Sequence, residues 1–415
     1  METIENIAET KQPLTASCPF DEQAWSWQKT APPSTAKHIE AIERDEAGVW
    51  HIHSYDAARA LLRNANTKQA GFNANLIART QMSNIPVLYQ EGKEHLLQRK
   101  QTARFFTPKA VSDNYRLLME KISDQMIKKL KRNKQAELSD LSLNLAVGVV
   151  SKVVGLTNSY PGMAARLNAF FENNHQVSHF KWHPRNILHT IHNQGRMLSF
   201  FYLDVLPAIR ARKRKAQDDV ISHLIEKNYN DLEILIECIT YAAAGMITTR
   251  EFICAASWHM LEQPALRARY RVAPEEERYE MLHEILRVEP VILNIYRHAT
   301  ADIELESNGT HVTIPVGSKI NIHMHSTNGD EKIVGEQPLT VCPGREIKGN
   351  NIPSMLMSFG DGTHRCPGAY MAIQETDIFL QRLLAIDTVH MVRKPSVGWD
   401  EMIAAYELRH LTVAI

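Results

Sequence analysis

The sequence has few of the features that would place it in a membrane, an oxidising compartment or a nucleic-acid complex. No run approaches the roughly 18 consecutive apolar residues of a transmembrane helix, and residues 1–19 lack an apolar stretch of signal-peptide length. The five cysteines form no CxxC pair and no zinc-like spacing, so we expect thiols and not a disulfide framework. A formal net charge of zero argues against nucleic acid as a partner. We therefore expect a soluble, cytoplasmic protein without membrane insertion.

The chain also lacks the sequence features that separate domains. Its 415 residues contain no Gly/Ser-rich linker, low-complexity tract or internal repeat. A hydrophobic content of 44% is typical of a globular protein with a large core. We predict a single domain over residues 1–415, in which the proline-punctuated residues 1–45 are irregular.

Helical patterns dominate the chain. Apolar residues recur at helical spacing over 94–106, 109–132, 138–155, 161–174, 186–213, 217–227, 231–262, 275–289 and 367–388. Strand patterns lie at 49–52 and 319–324, and Asn308-Gly309 predicts a hairpin between 303–306 and 311–314. The segments 71–92 and 325–365 are mostly irregular. The fold class is therefore mainly α with small β-sheets.

The most informative segment is the loop around Cys366. It reads Phe359-Gly360-Asp361-Gly362-Thr363-His364-Arg365-Cys366-Pro367-Gly368 and leads directly into a helical pattern. This segment resembles the haem-binding loop of cytochromes P450, Phe-Gly-x-Gly-x-His-x-Cys-x-Gly, at every fixed position. The resemblance implies the cytochrome P450 fold and a haem b cofactor, whose iron takes the thiolate of Cys366 as its axial ligand.

The physical chemistry of the loop agrees with that role. Glycines allow a sharp turn and a close approach to a flat ring. The unpaired N–H groups and the positive dipole end at a helix N-terminus stabilise a thiolate. For a cysteine outside such a pattern, simple burial in the core would be the alternative.

Four further residues match the positions that bind the haem propionates in the family. His95 and Arg99 resemble its His-x-x-x-Arg pattern, and their i, i+4 spacing places both on one helix face. Arg297 and His364 match the other propionate donors, and an arginine fork can bind a carboxylate bidentately. For each residue taken alone, an ordinary surface charge is the alternative.

A second pattern concerns structure and not chemistry. Glu284 and Arg287 resemble the Glu-x-x-Arg signature of the family, and positions i and i+3 share a helix face. Arg345 lies where the family places a third partner. The resemblance implies an ion-pair network of these three residues that supports the haem loop.

The long helix predicted at 231–262 carries a third pattern, Ala243-Ala244-Gly245-Met246-Ile247-Thr248-Thr249. It resembles the oxygen-binding segment of the family. The resemblance implies that Ala244 and Gly245 leave room over the haem and that the Thr248 hydroxyl helps to protonate dioxygen. A threonine can otherwise return its hydroxyl to the carbonyl four residues earlier and have no catalytic role.

One position departs from this pattern. The family usually has an acid just before the threonine, where this chain has Ile247, and isoleucine cannot relay a proton. Glu251 lies about one helical turn further on. We hypothesise that Glu251, or a water chain past Thr248 and Thr249, replaces the missing acid.

The resemblance implies a monooxygenase of bacterial secondary or catabolic metabolism that inserts one oxygen atom of dioxygen into a hydrophobic small organic substrate. Electrons would come from a separate ferredoxin or flavodoxin-type donor with its reductase, because the chain has no fused reductase domain and no Gly-x-Gly-x-x-Gly fingerprint. By family position, the candidate substrate contacts are Phe72, Leu88, Ala243, Val291, Ile292 and Met402.

Two alternatives stay open. Ile247 also fits a peroxide-driven haem enzyme, or one that catalyses coupling or rearrangement, although the retained Thr248 argues against the peroxide version. A non-catalytic haem protein that binds a small ligand is the more distant alternative. Five histidines have spacing that can be mistaken for a metal site, but we expect no second metal there; they are His175, His179, His183, His189 and His192.

Overall fold

The computed structural model describes residues 26–30, 40–72, 74–77, 82–172, 194–307 and 309–415. Most of the N-terminal segment, the five histidines between 175 and 192, and Asn308 lie outside the described residues. Two short strands, Ser26–Trp27 and Ile42–Arg44, lie in the segment that we expected to be irregular.

Helices dominate the described residues, in agreement with the fold class. In the N-terminal half they are α1 Tyr55–Arg63, α2 Ala74–Ile77, α3 Gly92–Thr102, α4 Pro108–Asn114, α5 Arg116–Asn133, α6 Leu138–Val154, α7 Met163–Glu172 and α8 at 194–214. In the C-terminal half they are α9 Val220–Glu226, α10 Asp231–Glu262, α11 Pro264–Val272, α12 Glu275–Val288, α13 Met324–Asn328, α14 Glu331–Val334 and α15 Ala369–Leu384.

The strands form small sheets. They are β1 Ser26–Trp27, β2 Ile42–Arg44, β3 Trp50–Ile52, β4 Thr67–Gln69, β5 Gln135–Glu137, β6 Asn294–Ala299, β7 Ile303–Ser307, β8 Thr310–Ile314, β9 Lys319–His323, β10 Thr340–Val341, β11 His390–Arg393, β12 Ser396–Asp400, β13 Ala405–Arg409 and β14 Thr412–Ala414. The largest sheet has the order β2-β3-β9-β6-β4, with β3 and β9 parallel. The predicted hairpin is present as β7 and β8.

Helix α10 is central to the larger hydrophobic core. Asn230 and Glu233 form a capping box at its start, and Pro264 opens the next helix directly after its end. By length and composition α10 could also cross a membrane, but 50% of its most apolar window is buried inside the protein. A second core cluster lies between α1 and the five-stranded sheet. The single-domain prediction stays a prediction.

Local signals explain where the predicted helices differ from the observed ones. The predicted helix 109–132 is divided into α4 and α5 at Tyr115, and the Thr107 side chain caps α4 by accepting from the Ala110 N–H at 3.2 Å. Helix α11 was not predicted, because only Leu266 and Tyr270 mark its buried face. Strand β6 was not predicted either, since it is defined by its pairing with β9 and β4.

One expectation about the cysteines is wrong. Cys238 and Cys254 are buried free thiols, and Cys366 is also free. Cys342, however, is disulfide-bonded. The spacing of the five cysteines in the sequence did not indicate this bond.

A buried carboxyl group on α15 should make folding stability depend on pH. Glu375 is 1% exposed, its Oε1 has no hydrogen-bond partner, and burial raises its pKa to about 8. The unfolded chain releases this proton first as pH rises, so Glu375 lowers the free energy of unfolding by about 1.4 kcal/mol per pH unit between the two pKa values. We expect Glu375→Gln to remove this slope, so that urea denaturation shows a stability gain over wild type that grows from about pH 5 to about pH 8. A gain of the same size at every pH would contradict the prediction.

Candidate active site

The loop before α15 holds Cys366 in a defined position. Its backbone N–H donates to the carbonyl of Phe359 at 2.8 Å, which closes the loop. Gly360 and Gly362 have φ values of 68° and 66°, in the left-handed region that other residues rarely adopt. A Cβ on Gly362 would lie 2.2 Å from the carbonyl oxygen of Leu62, so the loop packs directly against α1. Both glycines are therefore required by the backbone geometry.

The Cys366 sulfur lies three residues before α15 begins. Burial raises the pKa of its thiol, while the Gly368 N–H and the guanidinium groups of Arg99 and Arg365 act in the opposite direction. These donors favour the thiolate and only desolvation opposes it. A cation against the sulfur would offset that cost.

Four side chains converge beside this loop from α3, β6 and the loop itself, and we refer to them as the donor cluster: His95, Arg99, Arg297 and His364. The rings of His95 and His364 stack with 4.1 Å between their centroids. Arg99 donates from Nη2 to the carbonyl of Arg365, beside the cysteine. Arg297 is 4% exposed and lies close enough to His95 for their charges to interact. The structure thus brings the four predicted propionate donors together.

Two residues that the sequence analysis did not identify belong to the same region. Oε2 of Glu91 lies 2.8 Å from Nε2 of His364, and Oε1 of Glu91 accepts from the backbone N–H of Gln69 at 2.8 Å. The Gln69 side chain accepts from Nη1 of Arg297, its partner across β4 and β6. The four-residue spacing between Glu91 and His95 was the signal available, but it is too common to be specific.

The donor cluster has more cationic groups than Glu91 can balance. Nδ1 of His95 is buried without a hydrogen-bond partner. Burial, together with the charges of His364 and Arg99, lowers the pKa of His95 to about 4. Burial lowers the pKa of Arg297 too, and the charge of Glu91 opposes that shift. An anion bound here would satisfy the orphaned donor and offset the excess positive charge.

The centre of α10 departs from regular α-helix at the predicted oxygen-binding segment. Ala242–Ile247 is π-helical, and such one-turn irregularities are frequent at functional sites. A Cβ on Gly245 would lie 3.0 Å from Cγ2 of Val150, so the glycine allows α6 to pack closely. Ala244 is exposed and Ala243 is half-buried. Oγ1 of Thr248 donates to the carbonyl of Ala244 at 2.6 Å, the back-bond that the sequence analysis had left open.

Glu251 is in a different environment from the one we expected. Its Oε1 accepts from Nε of Arg250 at 2.7 Å and from Nη1 of Arg409 at 2.8 Å, and its Oε2 accepts from the Leu408 N–H at 2.7 Å. The side chain is fully buried against β13. Both carboxylate oxygens are engaged by these donors, so a proton relay through Glu251 would have to break these hydrogen bonds. The arrangement argues against the relay that we hypothesised and favours a structural role for Glu251.

The predicted structural network is in contact. Arg287 donates from Nε and Nη2 to the two oxygens of Glu284, each at 2.7 Å, and Nε of Arg345 donates to Oε1 of Glu284 at 3.1 Å. The Cys342 N–H donates to the same oxygen at 3.0 Å. All three side chains are at most 8% exposed.

Known proteins with a similar sequence and fold are cytochromes P450. The biotin biosynthesis cytochrome P450 of Bacillus subtilis (strain 168) is 24% identical over 343 residues, which cover 81% of this chain and 82% of that protein. The crystal structure of P450BioI in complex with an acyl carrier protein ligated to hexadec-9Z-enoic acid has a TM-score of 0.72 at 22% identity, and covers 89% of this chain and 92% of its own. CYP109E1 from Bacillus megaterium in complex with corticosterone has a TM-score of 0.69 at 20% identity, with 92% and 95% covered.

The family model described as Cytochrome P450 matches residues 279–395, a range that contains the Glu284 network, Arg297 and the Cys366 loop. The chain is therefore similar to cytochromes P450 in sequence and in fold. Members of that family hold haem iron through a cysteine thiolate, so haem is the cofactor that this similarity indicates.

The residues of this chain fit a haem cofactor. Burial raises the pKa of the Cys366 thiol, and the Gly368 N–H and two guanidinium groups partly offset this effect; beside the cysteine lies a cluster with a buried, orphaned histidine nitrogen and unbalanced arginines. The cysteine suits an iron atom, and the donor cluster suits a pair of carboxylates. The fit therefore rests on complementary charge as well as on sequence pattern.

The candidate substrate contacts are divided between two places. Phe72 and Met402 line a cavity of about 310 Å³ together with Tyr296 and Ile403. The remaining candidates do not line this cavity; Val291 is 6% exposed in the core, Ile292 pairs with Ala405 through a β-bridge, and Ala243 and Leu88 are half-buried. A second cavity of about 570 Å³ is lined by Gln69, Tyr89 and Glu91 among others and adjoins the donor cluster.

Proposed function

We propose that this protein is a haem-thiolate monooxygenase that activates dioxygen and inserts one oxygen atom into an apolar small molecule. The observation that carries the proposal is the donor cluster beside the Cys366 loop, which has more cationic donors than Glu91 balances. Its buried orphan nitrogen on His95 supports a bound dianionic group at this place.

Haem, when bound, supplies the reductive activation of dioxygen. Cys366 would hold the iron as thiolate, and the Gly368 N–H and the Arg99 guanidinium would stabilise the negative charge on sulfur. The donor cluster would bind the propionates. Arg287 and Arg345 would keep the nearby chain in place through Glu284, without taking part in the chemistry.

Thr248 would hold a proton for the pocket at its Oγ1. Its hydroxyl donates to the Ala244 carbonyl at 2.6 Å, and rotation about χ1 would turn it away from that carbonyl. Ile247, the neighbouring residue, has no proton to give. The hydroxyl therefore depends on another acid for its supply.

An apolar substrate is supported by two observations. The cavity beside Phe72 and Met402 is lined partly by apolar side chains. The two structural neighbours contain a hexadecenoic acid and corticosterone, both of which are mainly hydrocarbon. We propose that Leu88, Ala243, Val291 and Ile292 join Phe72 and Met402 as contacts with such a substrate, in bacterial secondary or catabolic metabolism.

The electron donor would be a separate ferredoxin or flavodoxin-type protein with its reductase. Arg365 is exposed and lies directly before Cys366, so it would attract an acidic partner to the side of the loop nearest the iron. We propose a bacterial cytoplasmic location for both proteins, in line with the Bacillus source of the related proteins.

The test is turnover of the haem-loaded protein with an apolar substrate, driven either by a surrogate ferredoxin and reductase or by peroxide alone. We expect a monooxygenated product with the electron-donor system. We further expect Thr248→Ala to lower the product formed per electron pair by roughly tenfold or more, because a proton donor is lost, and Thr248→Ser to retain most of it.

Other results would identify the alternatives. Product with peroxide alone, unaffected by Thr248→Ala, would favour a peroxide-driven enzyme. Product from coupling or rearrangement, without an inserted oxygen atom, would favour the biosynthetic alternative. No product from any electron source, with haem present, would leave a haem protein that only binds ligands.

A further inference from the structure

A buried carboxyl group on α10 has no assigned role in the proposed chemistry. Glu237 is 1% exposed. Its Oε1 accepts from Nε2 of Gln98 at 3.1 Å and from the Val87 N–H at 3.3 Å, and its Oε2 has no hydrogen-bond partner. Leaving a buried polar atom unpaired costs free energy, so an unpaired carboxyl oxygen in a folded core calls for an explanation.

The surroundings of Glu237 bring its pKa close to neutral pH, so that both of its protonation states are populated. Among the described residues, the ionisable groups that interact with it are all neutral acids: Tyr89, Tyr229, Cys238 and Tyr241. Burial raises the pKa of Glu237 to about 7, and the two hydrogen bonds to its Oε1 hold the pKa down from a higher value. The group therefore both holds and releases a proton near neutrality, as an efficient acid catalyst must.

Glu237 lies next to the proposed haem site. Its partner Gln98 directly precedes Arg99, whose guanidinium interacts with both Tyr241 and Cys366. Tyr241 is one turn further along α10 from Glu237, and the two groups interact electrostatically. Thr248 lies eleven residues after Glu237 on the same helix, directly after the π-helical turn Ala242–Ile247. These contacts connect Glu237 to Tyr241, and Tyr241 through Arg99 to the Cys366 loop.

Among the described residues, neither candidate acid near Thr248 is available to the pocket. Ile247 has no acidic proton, and both oxygens of Glu251 accept hydrogen bonds from Arg250, Arg409 and the Leu408 N–H. We propose that Glu237 is the acid that supplies protons to this pocket, through the hydroxyl of Tyr241, in place of the acid that Ile247 lacks. The inference rests on the proposed monooxygenase function and names the residue that supplies its protons.

The proton balance is simple. The Glu237 carboxyl group releases its proton towards the Tyr241 oxygen, directly or across one water, and the Tyr241 hydroxyl passes its own proton into the pocket. Tyr241 is unchanged, and Glu237 becomes a carboxylate that Gln98 and the Val87 N–H stabilise. Glu237 then regains a proton from solvent past the exposed residues Ser83 and Ile85. No other reactant is required.

The test is Glu237→Gln in the haem-loaded protein, because glutamine keeps the shape and both accepted hydrogen bonds but has no acidic proton. We expect the product formed per electron pair to fall by roughly tenfold or more. We also expect wild-type coupling to decline as pH rises through about 7, and this decline to be absent in the variant. Glu237→Asp, which keeps the acid, should restore part of the coupling.

Glu375→Gln is the matched control, since it removes another buried acid whose pKa is raised, on a helix outside the proposed route. We expect it to leave coupling and its pH profile unchanged. Equal loss of coupling in both variants, or coupling of Glu237→Gln within about twofold of wild type, would overturn the inference.

A second readout does not depend on turnover. The titration is made in a Glu375→Gln background, which removes the other buried acid whose pKa is raised. There the infrared carbonyl band of a protonated carboxylic acid should disappear with a midpoint near pH 7, and the further change Glu237→Gln should remove the band. Failure of the proposed function would be seen separately, as a haem-loaded wild type that forms no product. In that case the infrared titration alone decides, and a Glu237 that is already ionised at about pH 5 overturns the inference.

Discussion

Replacing Cys366 by alanine will abolish the thiolate-type absorption of the reduced carbon monoxide complex and all product formation. The sulfur is the only thiol in the loop, and a thiolate ligand is what produces the red-shifted absorption and supports oxygen activation. The measurement is the absorption spectrum after dithionite and carbon monoxide. The wild type should show a Soret band shifted far to the red, and Cys366→Ala should not.

The control for this prediction is Cys254→Ala, which removes another buried free thiol on α10. We expect its spectrum to match that of the wild type, with a modest loss of stability. A wild-type band at the shorter wavelength typical of histidine or neutral-thiol ligation would contradict thiolate ligation. A red-shifted band that survives Cys366→Ala would mean that another residue binds the iron.

Arg287→Ala should be the most destabilising single change outside the cysteine loop. Its side chain is 1% exposed and makes five hydrogen bonds, two to Glu284 and three to backbone carbonyls; these belong to Asn328, Pro338 and Thr340. Removing the guanidinium takes a positively charged partner from the buried Glu284 carboxylate. It also takes a hydrogen-bond donor from three buried backbone carbonyl groups. We expect the free energy of unfolding in urea to fall by about 3–5 kcal/mol.

The matched control is Arg269→Ala, because Arg269 also binds a glutamate through two nitrogens but does so at the surface. Its loss should cost less than about 1 kcal/mol, since water replaces the exposed partner. Similar costs for the two variants would show that the Glu284 network has no special structural importance. Arg287→Lys should recover little, because an ammonium group cannot reproduce the planar fork.

The sequence determined the features that depend on local chemistry. The pattern around Cys366 identified the cysteine loop, its glycines and the family, because the loop needs particular backbone angles and a thiol at one position. The pairs His95–Arg99 and Glu284–Arg287 could be read from helical spacing, which places such residues on one face. The long apolar pattern at 231–262 located α10.

Only the tertiary structure decided which groups face each other across distant elements. Glu251 had a spacing that suited a proton relay, but the strand that supplies Arg409 and the Leu408 N–H comes from the C-terminal end of the chain. Glu91 and Gln69 contact the donor cluster because the pairing of β4 with β6 places Gln69 beside Arg297. Burial of Glu237 against Gln98 and Val87 likewise joins α10 to two distant segments. A carboxyl group becomes a salt-bridge partner or an acid through its burial and its neighbours' charges, and these are properties of the folded chain and not of residue spacing.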